Sequence, residues 1–87
     1  MVLAKAAGNF TETAIDDEIV VMNLASGDFF SLTGTAREIW LRIDGTLDRA
    51  GLIAALARDH SVPAIEIAAD VEDFVTQLQD AGLVTGA

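Results

Sequence analysis

The chain has 87 residues, a formal net charge of −9 at pH 7 and a hydrophobic content of 52%. This length suits one compact domain, and the apolar content excludes intrinsic disorder, which requires low hydrophobicity. The lack of cysteine excludes disulfides, thiolate metal sites and cysteine nucleophiles, and a single histidine, His60, excludes a histidine-rich metal site.

The charge balance also limits the partners, because 14 acidic residues stand against only 5 basic ones. Proteins bind nucleic acids and anionic membrane surfaces through Lys and Arg, so we expect neither partner. The longest apolar run, Leu52 to Ala57, is far shorter than the ~20 residues of a membrane span. Residues 1–7 are too few for the apolar region of a signal peptide. The expected location is therefore the cytoplasm.

The first third of the chain predicts three strands. Asn9 to Ile15 is rich in Thr and loosely alternating, Glu18 to Leu24 is β-branched and apolar, and Phe29 to Leu32 is a short third strand. Turn-forming residues separate them at Asp16-Asp17 and at Ala25 to Asp28. Three strands joined by tight turns predict an antiparallel meander.

Two adjacent aromatic residues, Phe29 and Phe30, stand in the third predicted strand. Successive side chains of a strand point to opposite faces. One ring is therefore expected in the core and the other on an outer face or in a groove, unless helices cover both faces. The sequence leaves open which ring is which.

The rest of the chain predicts three helices. Thr33 and Thr35 are candidate N-caps of the first helix, Thr35 and Glu38 have the spacing of a capping box, and Thr46 is the candidate N-cap of the second. Apolar residues at helical spacing predict the buried faces, which contain Ala36, Ile39, Trp40 and Ile43, then Leu52, Ile53 and Leu56, then Ile67, Val71, Phe74, Val75 and Leu78.

Two further local signals concern the core and the end of the third helix. Trp40 is expected to anchor the core, with an acceptor for its indole N–H. Gly82 followed by Leu83 predicts a Schellman motif, and Leu83 to Thr85 predicts a short terminal strand. Strands followed by helices predict an α+β fold in a single domain over residues 1–87, with a structured core of about residues 9–85.

The sequence contains no motif that predicts catalysis. It has no phosphate-binding glycine loop, no GxSxG elbow, no metal-ligand spacing and no evident nucleophile–base pair. The acidic residues of the third helix are typical of a solvated face, since no calcium-binding loop is present. His60 lies at a predicted helix C-terminus, where the helix dipole favours a cation, and we assign it a structural role. We expect no enzymatic activity, no cofactor and no metal.

Three segments resemble the PqqD-like family, namely VVMNLASGDFFSLTGTAREIW, DGTLDRAGLIAALARDHSVP and ADVEDFVTQLQDAGLV. Members of this family are RiPP recognition elements, which bind the leader segments of ribosomally made precursor peptides in natural product biosynthesis. The resemblance extends from about Ile15 to Val84. Thr33 stands where the family commonly has Asn, and His60 where it commonly has Tyr.

The resemblance implies a winged-helix-like fold with a three-stranded antiparallel sheet followed by three helices. It also implies that a leader peptide adds as a strand beside the third strand, in a groove shared with the third helix, a recognised mode of peptide binding. Mapped onto this sequence, the implied peptide-binding residues are Asp28, Phe29, Phe30, Ser31, Leu32, Ile67, Asp70, Val71, Phe74 and Leu78.

The sequence therefore predicts a non-catalytic adaptor that binds a precursor leader by strand addition. It would present the leader to a modification enzyme of the same pathway, of the radical-SAM or leader peptidase/cyclase type. The alternative is a winged-helix DNA-binding regulator. The third helix contains no Lys or Arg, which argues against DNA reading. The precursor peptide, the partner enzyme and the oligomeric state stay open.

Overall fold

Residues 2–86, which the computed structural model describes, contain five strands and three helices. In chain order they are β1 (Ala4–Lys5), β2 (Phe10–Ile15), β3 (Glu18–Asn23), β4 (Phe29–Leu32), α1 (Gly34–Arg42), α2 (Arg49–His60), α3 (Ala64–Asp80) and β5 (Val84–Thr85). The predicted α+β class, with a three-stranded antiparallel sheet followed by three helices, is confirmed.

The main sheet has the strand order β2-β3-β4, and both pairings are antiparallel. Its strands agree with the predicted ones to within one residue at each end. The turn between β2 and β3 places Asp16 at φ 53°, in the left-handed region that Asp tolerates better than most residues. The predicted meander is confirmed, and its turns lie where the sequence has turn-forming residues.

A second, two-stranded sheet joins the two ends of the described chain. Lys5 of β1 pairs with Val84 of β5 in antiparallel register. The neighbouring Leu3 is buried, and its backbone N–H donates to the carbonyl of Leu47 at 2.8 Å. The terminal strand was predicted, whereas β1 was not, because two residues without periodicity become a strand only through a distant partner.

The helix starts differ from two of the predictions. α1 begins at Gly34 after Thr33, so Thr35 lies inside the helix and the predicted capping box is wrong. Asp48, and not Thr46, is the N-cap of α2, where its carboxylate accepts from the backbone N–H of Gly51 at 2.8 Å. A side chain caps a helix from the residue just before the first one with helical dihedral angles, and spacing alone did not identify that residue.

The end of α3 has the predicted Schellman motif. The backbone N–H of Leu83 donates to the carbonyl of Leu78 at 2.9 Å, and that of Gly82 donates to the carbonyl of Gln79 at 3.0 Å. Gly82 has a φ of +76°, which glycine adopts without the steric cost of a Cβ atom.

α1 packs against β3 and β4 on one face of the main sheet, and Trp40 of α1 belongs to the hydrophobic core. Its side chain is 0% exposed, and its indole N–H donates to the Glu12 carboxylate at 2.6 Å. The ring of Phe10 meets Trp40 edge-on with the centroids 5.1 Å apart. The predicted core anchor and its acceptor are both confirmed.

Candidate functional site

The two side-chain faces of β4 have different surroundings. In the antiparallel register, Phe30 is opposite Val21, and both point to the helix-covered face. Phe29 is opposite Met22 on the outer face. Phe30 is partly buried and packs against the core, whereas Phe29 is 69% exposed. The expected division of the two rings is thus confirmed, with Phe30 as the inner ring.

The outer edge of β4 has unpaired backbone groups. β4 pairs with β3 along one edge, and no strand of residues 2–86 pairs with the other. The backbone N–H of Asn23 donates to the Asp28 carbonyl at 2.8 Å, which marks a hydrogen-bonded pair. Because such pairs alternate along an antiparallel ladder, Phe30 bonds to β3, and the N–H and C=O groups of Phe29 and Ser31 point to the free edge.

An apolar groove of about 290 Å³ separates the first turns of α1 from the first half of α3. One residue, Thr33, connects β4 to α1, so the groove begins next to the C-terminal end of the open strand. Its lining is apolar apart from a hydroxyl and one carboxylate, and it consists of Thr35, Ala36, Ile39, Ile67, Asp70, Val71 and Phe74.

The structure brings most of the sequence-predicted site residues to this region. The α3 set of Ile67, Asp70, Val71 and Phe74 lines the groove together. Phe29 to Leu32 form the open strand, and Asp28 lies exposed in the turn before it. The side chains of Leu32 and Leu78 are buried in the core, and Leu78 is not part of the groove lining.

Sequence reasoning missed the contribution of α1 to the groove. Thr35, Ala36 and Ile39 form its second wall. Ala36 and Ile39 were found by their helical spacing, but that spacing indicates only an apolar face. Whether such a face packs against a neighbour or borders a cavity depends on the distance between α1 and α3, which no local signal specifies.

The groove has a negative border. Glu66 precedes Asp70 by four residues and Asp73 follows it by three, which places the three carboxylates along one side of α3. Within residues 2–86, the side-chain ion pairs are Arg42–Asp59 and His60–Glu38, and neither involves α3. The electrostatic potential beside the groove is therefore negative.

The geometry of this region suits the binding of a polypeptide. Among residues 2–86, no three His, Asp or Glu side chains converge on a possible metal site. An open strand edge beside an apolar groove instead suits an extended polypeptide, whose backbone would pair with β4 and whose side chains would enter the groove. None of the helices in the described range has the length and apolarity to cross a bilayer.

Comparison with known proteins agrees with this architecture. The sequence model of the family described as coenzyme PQQ synthesis protein D (PqqD) matches residues 18–84. The chain belongs to the PqqD family. The resemblance found in the sequence is thereby confirmed. No curated protein shows significant similarity to this PqqD-family chain.

The PqqD-family chain is also similar to a solved structure, TbiB1 in complex with the TbiA(beta) leader peptide. The two chains are 25% identical, the alignment covers 95% of this chain and 96% of TbiB1, and the TM-score is 0.81. The likeness therefore extends over nearly the whole of both chains.

Proposed function

We propose that this PqqD-family protein is a non-catalytic adaptor that binds the leader segment of a ribosomally made precursor peptide as an added strand along β4. The observation that carries the proposal is the unpaired edge of β4 beside an apolar groove. Further support comes from TbiB1, which is similar over nearly its whole length and is bound to a leader peptide.

The backbone of β4 supplies the general part of the affinity. The N–H and C=O groups of Phe29 and Ser31 would each bond to the added strand. Edge strands usually avoid such pairing with charged residues or proline. β4 has the sequence FFSL, which contains neither, so its edge is open to a partner.

The leader side chains that enter the groove supply the selective part of the affinity. Alternate residues of an added strand would point to the face of Phe30 and therefore towards the helices. The groove volume of about 290 Å³ has room for a large aliphatic or aromatic side chain. Such desolvated apolar anchors usually dominate the energy of an interface.

Amide hydrogen exchange measured by NMR tests the strand addition at single residues. With synthetic leader segments of precursor peptides encoded near the gene, we expect slowed exchange at the Phe29 and Ser31 amides. The Phe30 amide already bonds to β3 and serves as the internal control. Shifts and protection centred on Leu52 to Arg58 of α2 would contradict the proposed site.

An adaptor also needs a surface for the modification enzyme, and the outer face of the sheet has the required properties. Ile15 and Phe29 are 52% and 69% exposed there, and Val20 and Met22 lie between them. Within residues 2–86, no element covers this face. The neighbouring turns carry acidic side chains, namely Asp16, Asp17 and Asp28.

We therefore propose that the enzyme contacts this face through an apolar patch bordered by Lys and Arg. A second copy of this chain would bring like charges together at the border, and the net charge of −9 opposes that contact. An apolar centre with a complementary charged border is the usual anatomy of a protein interface.

Calorimetry with the purified radical-SAM enzyme or leader peptidase encoded nearby tests this surface. Phe29→Ala should weaken enzyme binding about tenfold or more, the scale of an interface hot spot, and leave leader binding within about threefold. Thr13→Ala, on the same face, is the matched control. If sedimentation instead shows a dimer that Phe29→Ala dissociates, the face joins two copies of the chain.

The proposal assigns no reaction to the protein itself. Leader peptides incubated with the purified protein alone should keep their mass, as measured by mass spectrometry. A covalent change that depends on the folded protein would contradict the adaptor function.

A further inference from the structure

Asp70 is the one charged side chain in the lining of an otherwise apolar groove. It is exposed at the border of the groove. No Lys, Arg or His side chain of the described residues forms an ion pair with it. A ligand that occupies the groove therefore lies next to a carboxylate without a cationic partner.

Two further carboxylates of α3 add to the negative charge beside the groove. Glu66 and Asp73 lie on the same side of α3 as Asp70, and like charges at such spacing destabilise a helix slightly. Arg49 contacts α3 from the α2 side, where it donates to the Glu72 carbonyl and to the Thr76 hydroxyl. By helical periodicity that side is opposite the groove, so Arg49 does not neutralise its border.

We infer that the groove selects leader segments that carry Lys or Arg close to the apolar anchor residue and rejects segments with Asp or Glu there. This inference rests on the proposed function and specifies its substrate class. A basic side chain would relieve the repulsion among the α3 carboxylates and pair with Asp70. An acidic one would add to the repulsion, and like-charge contacts are a common means of excluding wrong partners.

Extended geometry limits where the basic residue lies. Residues on the same face of a strand recur every second position, about 6.6–6.8 Å apart. A Lys or Arg two positions from the anchor therefore points to the same face and reaches the border of the groove. The recognised pattern is a large apolar residue with Lys or Arg two positions before or after it.

A random 12-residue peptide library displayed on phage, selected on the wild-type protein, supplies the probes. Selected peptides that slow exchange at the Phe29 and Ser31 amides are kept and synthesised with Lys, Gln or Glu at the position beside the anchor. We expect the Lys peptide to bind about tenfold more tightly than the Glu peptide at low salt, with a smaller ratio at high salt.

Charge reversal on the protein is the decisive step. Asp70→Lys should abolish the preference for the Lys peptide, because it puts a cation in the groove lining while Glu66 and Asp73 stay beside it. Asp80→Lys makes the same change of net charge on the same helix, about 15 Å further along its axis, and should leave the preference as it is. Both positions are exposed, and thermal melts verify that both variants fold.

Two different failures can be distinguished. If peptides protect Phe29 and Ser31 but show no charge preference, if Asp70→Lys keeps the preference, or if Asp80→Lys abolishes it as well, the inferred role of Asp70 is wrong and strand addition stands. If no selected peptide protects these amides, the proposed function itself fails.

Discussion

The two faces of the three-stranded sheet have opposite surroundings, although the same strands supply both. The inner face packs against α1 and the core, with Val21 fully buried and Phe30 partly so. The outer face leaves Phe29 and Ile15 exposed. Two neighbouring phenylalanines thus have different surroundings, since the pleat directs Phe30 to the core and Phe29 to the open face.

The comparison teaches that apolar character alone does not identify a core residue in this protein. The inner apolar residues stabilise the fold, and the outer ones are available to a partner. Substitutions on the two faces should therefore separate stability from binding.

The largest expected effect is a loss of folding stability when the buried core residue Trp40 is replaced. Trp40→Ala should lower the free energy of unfolding by about 3–5 kcal/mol, because it leaves a cavity and an unpaired Glu12 carboxylate. Phe29→Ala, on the outer face, should change it by no more than about 0.5 kcal/mol. Urea unfolding followed by circular dichroism measures both. Similar losses in the two variants would contradict the division of the faces.

A second effect is expected on leader binding. Phe30→Ala should weaken binding by about 2 kcal/mol, or about 30-fold, if its ring contacts the residues that enter the groove. The same change should cost about 1–3 kcal/mol of stability, since the ring is partly buried. Calorimetry well below the melting temperature separates the two losses, and Phe30→Leu serves as the milder variant. Normal binding by folded Phe30→Ala would restrict this ring to the core.

A third, smaller effect is expected at the end of β3. The Asn23 amide donates to the Ala81 carbonyl at 2.8 Å, and its side-chain oxygen accepts from the Ala25 N–H at 2.9 Å. Asn23→Ala should cost about 1–2 kcal/mol, because these buried groups lose their partners. Met22→Ala, one residue earlier on the outer face, is the control and should cost less. Thermal melts that rank the two in reverse order would contradict this assignment.

The smallest effect is expected outside both faces, in the connection between α1 and α2. Hydrogen bonds from the Thr46 hydroxyl and then its backbone N–H lower the pKa of Asp44. A carboxyl with a lower pKa in the folded than in the unfolded state stabilises the fold above its unfolded pKa. That contribution is lost as the pH falls through the folded pKa.

An NMR titration of the Asp44 carboxyl measures this shift directly. Thr46→Val should bring the pKa of Asp44 back towards its ordinary value, because the hydroxyl donor is the largest cause of the shift. Thr11→Val, on the distant β2, is the control. An unchanged Asp44 titration in Thr46→Val would show that the hydroxyl does not lower it.

Much of the secondary structure could be predicted because its signals are local. The turn residues at Asp16-Asp17 and Ala25 to Asp28 delimited the strands, and the spacing of apolar residues in α3 predicted its buried face. The Schellman motif followed from Gly82 and Leu83 alone. β1 and the N-cap of α2 were missed, since they depend on a distant strand and on the residue at which the helix starts.

The candidate site was predictable only in part. The resemblance to the PqqD-like family indicated β4 and α3, and the structure places Ile67, Asp70, Val71 and Phe74 together beside a groove. It did not indicate the α1 wall at Thr35, Ala36 and Ile39. The buried position of Leu78 shows why helical periodicity is insufficient here, because one apolar stripe contains both core and groove residues.

The local sequence encodes the order of the three main strands and the three helices, the acidic charge, the alternation in β4 and the apolar stripe of α3, because each depends on neighbouring residues and on the periods of strand and helix. Tertiary packing turns Phe30 inward and Phe29 outward, leaves a groove between α1 and α3, and places Asp70 at its border. These features depend on which strand edge stays unpaired and on how far apart two helices pack. Both are properties of contacts between residues distant in the chain, which no local pattern encodes.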